Sequence, residues 1–348
     1  MTWAAPERRL RLSWELILVS FLALFAELMV IRWLASEVRV FAYFKNLPLM
    51  AAFLGLGLGC ARSGGRSEEV RSPSGWRLFP WFPVLFGLLC LVPAYAERLD
   101  LIRLRFPDTL VFLWSTEAAL PLLQGAKFVG IILAIFFLTV AAFTVLTAYS
   151  INVAASLLGI LVFSVIAFAE WPPVVWVAIA AVLSLWFFHR LLAAACLLAT
   201  VALVAWAAPA THWSPYYRID FAPLFIHGPG DAGTGVQVGY SLDVNRDFHQ
   251  RALNMSEAFR RQHPVISSHP MYRHADLVYN LPFRLAPAAE RVLVVGAGTG
   301  NDVAAALRNG ARMVDAVEID PTILALGLYG LSWLALAFRG WRLTWEPA

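Results

Sequence analysis

Apolar residues fill the first two-thirds of the chain in long runs, and polar residues fall between the runs rather than within them. The runs lie near 14–35, 42–61, 78–95, 128–149, 151–169, 173–188 and 191–208. Most approach the ~20 residues a helix needs to cross a bilayer. The pattern predicts a multi-pass α-helical membrane region of about seven spans over residues 1–208. Only TAYSIN (Thr147–Asn152) separates the fourth and fifth runs. One helix through both would be about 60 Å long, twice the hydrocarbon thickness, so a tight turn is expected there. Residues 96–127 are too polar to span. Within them ERLDLIRLRF has apolar residues at helical spacing with Arg between. A surface-lying amphipathic helix fits, and so does a loop helix packed on the bundle.

After residue 208 the periodicity changes. WSPYYRIDF (213–221) and VQVGYSLDV (236–244) read as short strands, with turn residues GPGDAGTG between them, as in a β-hairpin unit. Residues 252–263 and 271–281 read as helices. ERVLVV is then a buried strand, GAGTGN a glycine turn, DVAAALRNG a helix closed by Gly310, and MVDAVEI a second strand. This is the opening of an α/β Rossmann-like domain of methyltransferase type, and it is incomplete, because a doubly wound sheet needs about five strands or more. The expected divisions are 1–208 membrane region, 209–285 hairpin and helical lead-in, 286–327 first β-α-β, and 328–348 an atypical apolar tail. That tail predicts a fold whose catalytic half is missing, by truncation or in a short variant.

Composition agrees with two regions of different class. The 348 residues are 60% hydrophobic and 14% charged, against about a quarter charged in a soluble domain. The net charge of +4 is spread over loops with no long basic run, so nothing points to nucleic acid. Cys60, Cys90 and Cys196 lie in apolar runs without metal-like spacing. Arg8, Arg9 and Arg11 precede the first run, but no small-residue cleavage site follows and Glu27 interrupts it, so a cleaved signal is not expected. Those arginines, the four in RSGGRSEEVRSPSGWR and Arg190 fall on one side of a seven-span bundle, the cytoplasm by the positive-inside rule. Residues 209–348 would then lie outside, where adenosyl substrates are scarce. A missed or extra span would reverse that.

Several polar residues carry candidate chemistry. Glu27 sits mid-span, either as a proton or cation site or as a polar contact between helices. Arg32 is about 140° further round the helix and does not stack on it. Asn152 and Ser156 read as helix–helix contacts. Gly55, Gly57 and Gly59 read as close helix packing, because no strand precedes them. His263, His269, His274 and Asp276 lack metal-site spacing and are expected to be ordinary loop and helix residues. The nucleotide half-site is more specific. Gly296, Gly298 and Gly300 allow a tight turn and a close ligand, the following helix offers free N–H groups, and Glu318 at the second strand's tip can accept from both ribose hydroxyls. The spacing is G-x-G-x-G, with Asn301 where a dinucleotide site has its third glycine. That disfavours NAD and favours an adenosyl-sulfonium ligand.

These residues resemble the membrane-fused bacterial spermidine synthases, or polyamine aminopropyltransferases. WSPYYRIDF is similar to the family's S-P-Y-Q opening, HADLVYNLPF to its Y-H-E-x-L-x-H-L-P helix, and VLVVGAGTG…VEIDP to its V-L-x-I-G-G-G-D-G…V-E-I-D core. FAELMVIR and AYSINVAASLLGI look like the fused membrane block. The resemblance implies that Gly296, Gly298, Gly300, Glu318 and Asp320 bind decarboxylated S-adenosylmethionine or a related nucleoside as substrate, with no tightly held cofactor. In the family a polyamine amine, deprotonated with help from an Asp, attacks the carbon next to sulfur, and methylthioadenosine leaves. It also implies a protein integral to a bacterial inner membrane, with the lipid bilayer, a polyamine and a second copy of the chain as partners. The family's Gln is Tyr217 here, its Tyr-His pair is His274 and Ala275, and its loop Asp is Thr299, with Asp302 three residues on. Each change removes a group that would hold the aminopropyl or amine end. No catalytic residue is assigned, and activity is expected to be impaired or lost. The second reading is a membrane transport or sensing protein that carries a relic or regulatory nucleoside region.

Overall fold

The computed structural model describes residues 6–63, 79–101, 122–147, 153–188, 191–208, 211–227, 235–286 and 289–327. It is mostly helical (66%), with a small antiparallel sheet, and divides into two compact units, Met1–Ala210 and Thr211–Ala348.

The first unit contains α1 (Pro6–Glu37), α2 (Arg39–Tyr43), α3 (Asn46–Ser63), α4 (Phe82–Ala94), α5 (Leu122–Thr147), α6 (Val153–Phe168), α7 (Pro173–Leu185) and α8 (Leu191–Ala207). Among the described residues two stretches are long and apolar enough to cross a membrane: Ile17–Glu37, of mean hydropathy 2.1, and Ala126–Val145, of 2.7. The apolar parts of α3, α4, α6, α7 and α8 are shorter. The turn expected at TAYSIN lies outside the described residues, as do the side chains of Asn152 and Ser156. Of ERLDLIRLRF, residues 97–100 form turns and 102–106 lie outside.

Several hydroxyl groups in these helices bond back to the preceding turn, which satisfies their donors among apolar neighbours, whereas the buried Ser20 Oγ of α1 has no partner. Thr139 Oγ1 donates to the Ile135 carbonyl at 2.8 Å, Thr144 Oγ1 to Val140 at 2.7 Å, and Ser184 Oγ to Ala180 at 2.6 Å. Small residues set the closest approaches. A Cβ at Gly55 would overlap the Val140 carbonyl of α5, and one at Gly159 the Phe21 carbonyl of α1. Gly55 therefore serves helix packing, as read from sequence, whereas Gly57 faces open space. Phe25, Phe163 and Trp176 stack edge-on at 5.5 and 5.4 Å in the interior.

In the second unit, β1 (His212–Trp213), β2 (Arg218–Ile226), β3 (Val236–Val244) and β4 (Asp247–Leu253) form the antiparallel sheet in that order. WSPYYRIDF is not one strand. Ser214 Oγ accepts from the N–H groups of Tyr216 and Tyr217, which turns the chain at Pro215 and delays β2 until Arg218. The hairpin also has a partner that the sequence pattern hid. Asn245 and Arg246 both take left-handed φ, 51° and 65°, the geometry of a two-residue hairpin turn. The chain returns as β4, so the helix expected from 252 begins at Glu257.

Three helices follow, α9 (Glu257–Gln262), α10 (Pro264–Ser267) and α11 (Pro270–Leu285). Ser256 caps α9 by accepting from Phe259 N–H at 3.3 Å, and Tyr272 of α11 packs on Phe259 beside Val238 and Leu253. Then β5 (Arg291–Val295), α12 (Asn301–Arg308) and β6 (Met313–Val317) form one parallel β-α-β, with Arg291 opposite Met313 and Val295 opposite Val317. A last helix, α13, spans 321–327. α12 covers one face of the two strands through Val303 and Leu307, packed on Val294, Val314 and Ala316. The apolar tail expected over 328–348 lies outside the described residues.

Candidate functional site

The site begins where β5 ends. Gly296, Gly298 and Gly300 take φ of 73°, 53° and 88°, a region that residues with a Cβ rarely adopt. The chain thus turns within five residues and enters α12 from a left-handed Gly300. Every N–H of this turn has an acceptor inside the protein. Those of Gly296 and Ala297 reach the Val317 carbonyl at 2.9 and 3.0 Å, and that of Gly300 reaches Ala297 at 2.8 Å. Gly298 N–H reaches Glu318 Oε2 at 2.7 Å, and Thr299 N–H reaches Gln250 Oε1 at 2.9 Å. The free N–H groups expected from sequence were those of the following helix, not of the turn.

Glu318 follows the last residue of β6 and meets the glycine turn directly. It is 8% exposed and also accepts from Asp320 N–H at 3.0 Å. A carboxylate has about four lone-pair positions, so about two remain for the hydroxyls of a sugar. Asp320 has a different task. It is 0% exposed, receives the Ser214 hydroxyl at 2.5 Å and caps α13 by accepting from Thr322 and Ile323 N–H at 2.9 and 3.0 Å. It acts through the fold, joining β1 to β6 and starting α13, and offers no surface to a ligand.

Three residues around the turn make contacts that the sequence did not disclose. Gln250 reaches over from β4 and lies where a Gly298 Cβ would be. Asn301, buried at the dinucleotide glycine position, accepts from Leu253 N–H at 3.2 Å and donates to the Arg251 carbonyl and the Tyr279 hydroxyl, at 2.5 and 2.9 Å. It fastens α12 to β4 and α11, which a glycine could not do. Ser214 is the third. Each contact spans 20 residues or more, so no local pattern announces it.

The positions that depart from the resembled family are turned to other uses. Tyr217 packs against Ile219, Leu242 and Ile323. Thr299 is buried, with no hydrogen-bond partner for its hydroxyl. Burial raises the carboxyl of Asp302 above its ordinary range. The three histidines serve separate roles: His263 lies 4.7 Å from the Phe259 ring, His269 Nδ1 accepts from Met271 N–H at 3.3 Å as the cap of α11, and His274 is exposed. Among the described residues no group of three or more His, Cys, Asp or Glu could hold a metal ion. In the first unit Glu27 is 2% exposed and its Oε2 has no hydrogen-bond partner, while the Arg32 guanidinium lies 5.3 Å from the centre of the Trp176 ring. Cys90 and Cys196 are free thiols.

No family model, curated protein or solved structure matches the chain.

Proposed function

We propose that the chain is a multi-pass membrane protein whose second unit binds an adenosyl nucleoside in a Rossmann-like half-site of aminopropyltransferase descent. The observation that carries the nucleoside reading is the 2.7 Å bond from Gly298 N–H to Glu318 Oε2. It brings the glycine turn and the ribose-type carboxylate to one point, at the carboxyl end of two parallel strands, where open α/β sheets bind ligands. Gln250 adds an amide beside them. Gly296, Gly298 and Gly300 line the turn, Glu318 takes the sugar hydroxyls, and Asp320 anchors the chain just beyond Glu318 through Ser214 and the cap of α13.

The membrane reading rests on the surface of the first unit. Phe53, Leu54, Phe137, Leu161, Val165, Val182, Leu191 and Leu198 all face outward, far more apolar surface than a soluble monomer tolerates. Trp81, Trp171, Trp186 and Trp206, at or near helix ends, are exposed as well, as interfacial tryptophans are.

The binding test is calorimetry of methylthioadenosine with the detergent-solubilised chain. Saturable heat is expected, with affinity falling about tenfold or more in Glu318→Gln, since hydrogen bonds to charged groups contribute roughly 1.5–3 kcal/mol. No heat from a folded preparation overturns the proposal. Aminopropyl transfer to putrescine should be weak or absent, because Tyr217, Thr299 and His274 supply neither the amide nor the carboxylate that a cationic amine needs. A second reading, transport or sensing, has one observation of its own: the buried, unpartnered Glu27 Oε2. Polyamine flux in proteoliposomes that is lost in Glu27→Gln would favour it, and unchanged flux would remove it.

A further inference from the structure

α11 has two unlike faces. Tyr272, Ala275 and Tyr279 turn inward onto the core around Val238 and Phe259. On the opposite side Leu277, Val278, Leu281 and Leu285 are all exposed. At 100° per residue these four fall within about 100° of arc, and Arg273 and Arg284 lie along one edge of that stripe. Beside it runs a groove of about 540 Å3, whose lining includes Arg260, Arg273, His274, Asp276, Leu277 and Arg284.

The groove is positively charged. Asp276 is its one lining carboxylate, and it is already taken: Arg260 pairs with it, and Asn280 Nδ2 donates to it at 2.7 Å. Arg273 and Arg284 make no ion pair among the described residues. Exposed leucines edged by unpaired arginines form the pattern of a helix that lies in a membrane interface, with apolar side chains in the acyl boundary and cations at the headgroups.

We propose that α11 is such an interfacial helix: its groove takes the phosphate headgroups of anionic phospholipids through Arg273 and Arg284, and Leu277, Leu281 and Leu285 enter the lipid. The proposal rests on the reading of the first unit as membrane-embedded. That unit is covalently joined to the second, so lipid contact by α11 follows insertion at high effective concentration. Charge complementarity selects anionic over zwitterionic lipid.

Hydrogen exchange of the full chain in nanodiscs tests this. In discs containing phosphatidylglycerol, amides 270–285 are expected to exchange at least fivefold more slowly than in phosphatidylcholine discs. The double variant Arg273→Ala/Arg284→Ala should lose that difference, because each arginine near an anionic surface contributes about a fivefold preference, roughly 30-fold for two. Both arginines are exposed, so the variant should fold, and its methylthioadenosine binding should be unchanged. Equal exchange in the two lipids, or protection that survives in the double variant, overturns the proposal. So does loss of the protection on adding inorganic pyrophosphate to phosphatidylcholine and phosphatidylglycerol discs alike with no lipid difference, which would mark a soluble-anion site. Failure of the underlying membrane reading has its own signature in the same data: fast exchange throughout 17–37 and 126–145, or a chain that elutes apart from the discs.

Discussion

Gly298 carries two constraints where Gly296 carries one. Both have left-handed φ, but a Cβ at 298 would overlap Gln250, whereas one at 296 meets open space. Gly296→Ala should therefore cost only the backbone strain, about 1–2 kcal/mol. Gly298→Ala should cost more and should also weaken methylthioadenosine binding, because it displaces Gln250 from the turn. Adding Gln250→Ala to Gly298→Ala should return part of the lost stability. Thermal melts of the four chains form the cycle, and strict additivity would show that the overlap does not matter. Asp243 gives a residue-scale test by pH. It lies opposite Asp220 across the β2–β3 pair. Burial raises its carboxyl above the ordinary value, Asp220 and Asp247 push the same way, and the Ser241 hydroxyl and Arg251 oppose them. A raised carboxyl favours the protonated form in the folded state. Its contribution is fully present below the unfolded value, about pH 4, and is lost as pH rises through the folded one. Asp243→Asn should raise the melting temperature at pH 7, and the advantage should shrink steadily toward pH 4. A gain that is constant with pH would contradict this origin.

Among the elements, the clasp between β1 and α13 is one of the contacts that join the antiparallel sheet to the β-α-β, beside those of Gln250 and Asn301. Ser214 Oγ accepts two N–H groups from its own turn and donates to a fully buried Asp320, which in turn caps α13. Ser214→Ala leaves that carboxylate short of a donor, a loss of roughly 1.5–3 kcal/mol for a charged hydrogen bond. Exchange should then rise in 212–226 and 321–327 together, while α1 and α5 are unaffected. A rise in only one of the two segments would break the argument. This clasp also explains what the sequence could and could not disclose. Strand, glycine turn, helix and strand were legible from 290 to 319 because each is local: β-branched runs, glycines at left-handed positions, and a helix closed by Gly310. β4 was not, because the apolar residues of DFHQRAL (Phe248, Ala252 and Leu253) do not alternate to form one face. Its partner β3 and the Asn245–Arg246 turn decide its pairing instead. Gln250, Asn301 and Ser214 were hidden for the same reason. Each is an ordinary polar residue until a distant segment of chain meets it.

At the scale of the whole molecule, the proposed membrane reading raises the question of which side the second unit would occupy. The positive-inside rule, applied to seven spans, puts it outside, away from adenosyl nucleosides. The form of α7 admits a different count. α7 has 13 residues, about 20 Å at 1.5 Å per residue against ~30 Å of hydrocarbon. It begins at the Pro172–Pro173 pair, and its Trp176, Val177, Ala180, Ala181 and Ser184 are buried in the bundle. α4 is equally short, but a 3-10 turn at Phe79–Trp81 lengthens it. If α7 enters and does not cross, six spans remain, and the N-terminus and the second unit share a side. Of the arginines used for the rule, Arg190 alone changes side, while Arg8, Arg9, Arg11 and the four arginines of 62–77 stay cytoplasmic; Arg98, Arg103 and Arg105 lie outside under either count. Paired reporter fusions at Ala208 decide the matter. A green fluorescent protein fusion should fluoresce, and an alkaline phosphatase fusion at the same point should be inactive. The opposite pair of results would restore α7 as a crossing helix and place the glycine turn outside, where an adenosyl ligand would have to be exported before it could be bound.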